Sequence, residues 1–121
     1  MPARETVEAF VAVVEAGRYV DAIEQFYAPD ASMQENGEPP RVGRETLMEG
    51  ERRVMARFQS IVARRIGASA IDGDHVAIQW RFVFTPAAGE PMTLEEVAWQ
   101  RWDGEKVAEE RFFYDPKQLG R

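Results

Sequence analysis

The feature that most constrains this chain is a change of hydrophobic period part-way along it. In the second half, Val76, Ile78, Trp80, Phe82 and Phe84 alternate with polar residues, so all five fall on one face of an extended strand. In the first half the apolar residues follow the helical rule instead. Val7, Phe10, Val11 and Val14 sit at i, i+3, i+4 and i+7, which predicts a helix over about 4–16 that Gly17 ends. A second, short helix is expected at about 21–27. Asp21 and Glu24 have the spacing of a capping box, and Pro29 stops the helix. A third, over about 44–58, carries Leu47, Met48, Val54, Met55 and Phe58 as its stripe.

Between the second and third helices lies "FYAPDASMQENGEPPRVGRE", read as a strand over about 31–35 closed by the prolines at 39 and 40, which cannot donate to a ladder. After the third helix come an apolar segment at 60–71 broken by Gly67, the alternating strand, and strands at about 92–102 and 106–114. "DGD", "PAAGEP" and "DGE" supply the turns, and "DPKQLGR" reads as a tail. Helices first and a meander of long strands second predict an α+β fold, with three helices packed on one side of a curved antiparallel sheet. A length of 121 residues suits a single domain, 1–121, able to bury a core unaided.

Composition narrows the chemistry. With no cysteine there is no disulfide, thiolate metal site or cysteine nucleophile, and with one histidine, His75, there is no imidazole cluster. No metal and no cofactor are therefore expected. A net charge of −6 and a pI near 4.9 argue against nucleic acid, which needs clustered Lys and Arg. No apolar run approaches the roughly 18 residues that would span a membrane, and the N-terminus shows no secretory pattern. The expected location is the cytoplasm. No P-loop and no nucleophile elbow are present.

Two strings, "VEAFVAVVEAGRYVDAIEQFYAPDASMQENGEPPRVGRE" at 7–45 and "EVAWQRWDGEKVAEERFFYDP" at 96–116, resemble the nuclear transport factor 2-like superfamily. More narrowly, they resemble its SnoaL-like polyketide cyclase and ketosteroid isomerase group. The resemblance implies a cone: helices close one side of a bent sheet and leave an apolar pocket at the open end. It also implies pairing of two copies through the outer sheet face. It does not fix function, because isomerases, cyclases, dehydratases and non-catalytic members share the fold.

By that resemblance Glu35 occupies the position of a general base at the mouth of the pocket; otherwise it is a solvated strand-end residue beside Asn36 and Gly37. The positions where an isomerase carries its hydrogen-bond donors hold Phe10 and Ala98, which cannot donate. Glu51 falls on the apolar side of the third helix, so it lines a cavity or forms a buried ion pair with Arg44 or a sheet arginine; burying it alone costs several kcal/mol. Glu96, Glu110 and Tyr114 depend on strand register. A three-residue "DGE" turn, as the resemblance implies, puts Leu94, Glu96, Ala98 and Gln100 on one face with Ala108, Glu110, Phe112 and Tyr114; a two-residue turn exchanges the faces. The first register leaves Val97, Trp99, Val107 and Phe113 outside, where Arg101 and Arg111 could pair with Glu95 and Glu109 and where a homodimer could form.

The candidate catalytic residues are thus Glu35, Glu51 and Glu110. The candidate binding residues are Phe10, Tyr27, Trp80, Glu96, Phe112 and Tyr114. Trp80, like Phe82 and Phe84, is more often a core residue than a ligand platform, and Met33, Met48, Met55 and Met92 could fill the hollow. The function expected is binding of a small apolar or amphipathic molecule. It extends to cofactor-free acid–base chemistry on a carbonyl compound, of isomerase, cyclase or dehydratase type. The alternative is a ligand-binding or dimerisation module without catalysis.

Overall fold

The computed structural model describes residues 1–120. Helix α1 spans Arg4–Glu15 and buries Val7, Phe10, Val11 and Val14. Gly17 follows at φ +80°, its N–H bonded to the Val14 carbonyl. Helix α2 spans Tyr19–Phe26, two residues earlier than the capping spacing predicts. Arg18 stands at the N-cap, and Asp21, inside the first turn, accepts a 2.9 Å bond from the Arg18 guanidinium instead of capping the helix. The chain then passes directly into β1, Tyr27–Glu35. Pro29 lies within this strand, in an irregular stretch between Tyr27 and Ser32 where the pairing register shifts.

After the proline turn, β2 (Arg41–Val42) pairs back on β1, and Gly43, at φ +104°, leads into α3, Arg44–Ala56. Leu47 and Met48 are the buried anchors of α3, while Met55, predicted for its stripe, faces outward. The remaining strands are β3 (Ser60–Arg65), β4 (Ala70–Asp72), β5 (His75–Thr85), β6 (Met92–Asp103) and β7 (Lys106–Phe113). The C-terminal "tail" contains a turn of 3-10 helix at Pro116–Leu119.

The sheet order is β2-β1-β7-β6-β5-β3, with β4 also on β5. Most pairs are antiparallel, as the meander requires, but β1 runs parallel to β7, so the sheet is mixed. Helix α3 carries the chain from the β1–β2 pair to the far edge of the sheet, and the meander returns β7 beside β1 in the same direction. The three helices cover one face of this open, curved sheet, as in a nuclear transport factor 2-like cone. Their shared core centres on Phe10, whose ring meets Phe26 and Trp102 edge-on at 5.6 and 6.2 Å.

The hairpin of β6 and β7 resolves the register question in an unexpected way. Its turn has two residues, Gly104 (φ +59°) and Glu105, between the paired Asp103 and Lys106. Trp102 then opposes Val107, and a bulge follows: Arg101 opposes Glu109, so Ala108 is an extra residue. The short turn alone would have turned Glu110 outward; the bulge turns it back in. Gln100 and Glu110 therefore face each other inside. Val107, expected on the outer face, is instead fully buried because it precedes the bulge.

Val97, Trp99 and Phe113 do lie on the outer face, with Trp99 46% exposed and stacked on His75. Arg101 pairs with Glu109 as expected, but Glu95 takes Arg81, and Arg111 lies over the Phe113 ring and donates to the Asn36 carbonyl. No helix among the described residues is long and apolar enough to cross a membrane.

Candidate functional site

Between the helices and the inner sheet face runs a cleft in three connected sections. The inner end, about 80 Å³, is walled by Phe10, Tyr27, Trp80, Glu110 and Phe112. The middle, about 180 Å³, adds Glu35, Arg41 and Glu96, and shares Glu51 and Phe112 with the inner end. The mouth, about 300 Å³, is bounded by Glu35, Arg57, Phe84, Tyr114 and Leu119. All nine residues singled out from the sequence border this space. Met33 and Met92 line it without closing it, and Met48 belongs to the core.

Strand alternation aims Ala31, Met33 and Glu35 inward from β1. Glu35 is the last of these and reaches the rim, its side chain 37% exposed. One carboxylate oxygen takes a 2.9 Å bond from Arg41, placed opposite Met33 by the β1–β2 register, and the other accepts the Tyr114 hydroxyl at 3.1 Å. Asn36 holds this corner. Its left-handed backbone (φ +48°) turns the chain, its N–H bonds to the Phe112 carbonyl at 2.8 Å, and its side-chain oxygen accepts the Tyr114 N–H at 3.0 Å.

Glu110 lies at the opposite extreme, fully enclosed. Tyr27 donates its hydroxyl to one oxygen, and Gln100 Nε2 donates to the other at 2.7 Å. Gln100 in turn accepts the Trp102 indole N–H at 2.9 Å. Trp102, Gln100, Glu110 and Tyr27 thus form one buried chain. Burial pushes the Glu110 carboxyl up to about 7, with the Tyr27 and Gln100 hydrogen bonds opposing and the Glu35 and Glu51 charges adding to the rise. The Tyr27 phenol is held well above its ordinary range by burial and by Glu110.

Glu96 and Glu51 differ from both. Glu96 lies opposite Trp80 on β6, is only 7% exposed, and has no hydrogen-bond partner among the described residues. Burial first, then the charges of Glu35, Glu110 and Glu51, lift its carboxyl to about 8. At neutral pH it therefore carries its proton and is a donor. Glu51, one wall across on α3, is also without a hydrogen-bond partner among the described residues, and burial and Glu35 raise it against the pull of Arg41. The Arg44 ion pair considered for Glu51 does not form: Arg44 donates to the Tyr27 carbonyl at 3.3 Å.

The sequence residues Phe10 and Ala98 indeed offer no donor, but a neutral Glu96 stands two residues from Ala98 on the same strand face. Arg41, Gln100 and Trp102 were not singled out as site residues. The signal for Gln100 was present, since a glutamine on the stripe of Leu94, Ala98 and Trp102 has to find a buried partner.

Residues 7–110 match the family model for the SnoaL-like domain. The chain belongs to the SnoaL-like domain family. Among solved structures, this SnoaL-like domain is similar to a candidate SnoaL-like polyketide cyclase from Mesorhizobium loti, with 26% identity, a TM-score of 0.78, and 94% of this chain and 100% of that one covered. It shares its fold with a hypothetical protein of ketosteroid isomerase-like fold from Catenulispora acidiphila, solved in complex with trimethylamine (22% identity, TM-score 0.77, coverage 92% and 85%). The same holds for TerC, co-crystallised with polyporic acid (17% identity, TM-score 0.79, coverage 96% and 93%). Comparison with curated proteins gives no match.

Proposed function

We propose that this SnoaL-like domain binds a small amphipathic carbonyl compound in the cleft and moves protons on it with its own carboxyls, without a cofactor. The reaction class is isomerisation, cyclisation or dehydration. One observation carries the reading: Glu96 is a buried carboxyl with no hydrogen-bond partner among the described residues, facing the same space as the ion-paired Glu35 and the half-buried Glu51. A protonated Glu96 donates to a carbonyl oxygen as negative charge develops there. An ionised Glu51 or Glu35 takes the proton from the adjacent carbon. Glu110, locked to Tyr27 and Gln100, positions the inner wall. The likeness to the Mesorhizobium loti protein supports the carbonyl class.

The test is turnover on a panel of apolar carbonyl compounds. With a substrate in hand, Glu96→Leu, which has no donor, lowers kcat by about 10²-fold or more with little change in KM, as expected for a group used in the transition state. Full turnover by the Glu35→Gln, Glu51→Gln double variant would reject the scheme.

A second reading, a binding module without catalysis, is favoured by Phe10 and Ala98, which leave two donor positions of the isomerase arrangement empty. It predicts saturable binding with no product under any of these substitutions.

The homodimer belongs to the same proposal. Val97, Trp99 and Phe113 form an exposed apolar patch on the outer sheet face, and pairing two such faces would remove it from water. Sedimentation of the parent as a dimer and of Trp99→Asp as a monomer is the expected outcome. A monomeric parent at micromolar concentration would discard it.

A further inference from the structure

The middle of the cleft is short of one cation. Arg41 is the basic residue bordering it, and its guanidinium is bonded to Glu35. That leaves Glu51 and Glu96 facing the space from α3 and β6 with no hydrogen-bond partner among the described residues, the second of them 93% enclosed. Around them the walls are apolar and in good part aromatic: Tyr19, Phe82, Phe84 and Phe112 line the same volume. Aromatic faces attract cations, and carboxylates accept but do not donate. An anion is repelled here, and a neutral carbonyl oxygen uses one protonated carboxyl and leaves the other carboxyl without a donor. A single group satisfies both carboxyls and the rings together, an ammonium.

We propose that the ligand of this cleft carries a basic nitrogen on an apolar body, its protonated amine seated between Glu51 and Glu96 against the aromatic walls. This rests on the reading of the cleft as the ligand site and specifies its ligand as amino-substituted; with the amine bound, Glu96 anchors the ammonium and is not the donor to a carbonyl.

Capture is coupled to a proton. The groups facing Glu96 are Glu35 and Tyr27 of β1, Arg41 of β2, Glu51 of α3, Tyr19 of α2, Glu110 of β7 and Tyr114 just beyond it. Strand β5 contributes only rings. Three of these groups are carboxyls that discourage ionisation of Glu96. An arriving ammonium offsets them, so neutral Glu96 becomes carboxylate and one proton passes to solvent while the amine keeps its own. Below pH 8 binding therefore releases a proton. Affinity rises with pH toward 8, and proton release disappears above it.

The experiment is calorimetric titration of the full chain with benzylamine, benzyl alcohol and acetophenone at pH 7, in phosphate and in Tris. Benzylamine is expected to bind about tenfold tighter than benzyl alcohol. Its heat should differ between the buffers by the amount one released proton requires. Glu96→Gln, which removes a destabilising group and so remains folded, should lose both the preference and the buffer dependence. Binding of acetophenone or benzyl alcohol equal to or tighter than that of benzylamine overturns the amine proposal and leaves the carbonyl reading standing. Buffer-independent heat with benzylamine overturns the proton coupling and with it the placement beside Glu96. No heat from any of the three overturns both the amine proposal and the cleft as a ligand site.

Discussion

At pH 8, Glu96→Gln melts on the order of 10 °C above the parent, and at pH 4.5 the two melt together. The sign follows from linkage. The folded protein holds the Glu96 carboxyl up to about 8, against an ordinary value of 4.5. Below 4.5 both folded and unfolded chains carry the proton, so burial of this group costs nothing extra. Between 4.5 and about 8 the unfolded chain ionises while the folded one does not, and folded stability falls as pH rises across that window. Above about 8 the full penalty is present. Its ceiling is on the order of 5 kcal/mol, a shift on the order of 10 °C for a chain of this size. Glutamine keeps the shape and never ionises, so it removes the penalty. Thermal denaturation of both proteins from pH 4.5 to 8.5 is the measurement. Parallel curves across that range would mean that Glu96 is solvated.

Gln100→Leu is expected to lose about 2–6 kcal/mol of stability despite the favourable hydrophobicity of leucine. Gln100 is fully buried and serves two partners: it accepts the Trp102 indole N–H and donates to Glu110. Leucine leaves a buried donor and a buried acceptor without partners, each at a cost of about 1–3 kcal/mol. It also removes one of the two hydrogen bonds that hold the Glu110 carboxyl down, so that group rises further and is protonated at pH 7. Tyr27→Phe removes only one bond of the chain and should cost about 1–3 kcal/mol. Urea denaturation at pH 7 separates the cases. A Gln100→Leu loss smaller than that of Tyr27→Phe would show that the chain is not a single connected unit.

The parts of this fold that were legible in the sequence are those with a strong local period. Five alternating apolar residues placed β5 correctly, and the wheel of α3 brought Glu51 to the cleft. What was not legible depended on contacts between distant segments. Nothing near Tyr27 announces a parallel partner eighty residues away, and nothing in "EKVAEE" announces that Ala108 is the extra residue of a bulge. Val107 was misplaced for that reason. The expected face of Glu110 was right, but through a two-residue turn and a bulge and not through the three-residue turn assumed. The start of α2 was missed because Asp21 satisfies Arg18 as readily as it could cap a helix. Among the site residues, Glu96 was named for binding from its strand face alone, and nothing local set it apart as a donor. Its character comes from burial first and then from Glu35, Glu110 and Glu51, which arrive from three other elements.

The pairing of β1 with β7 also bears on how the molecule is made. Tyr27 and Glu35 are synthesised well before their partners Glu110 and Phe112, with Tyr27 and Glu110 83 residues apart. The helices can collapse on one another beforehand, but the acidic hollow has no floor until the β6–β7 hairpin closes. Such long-range closure is slow, since its loop entropy must be overcome before the contact is gained. A nascent chain halted before residue 106 would hold helices and part of a sheet with Tyr27 unsatisfied.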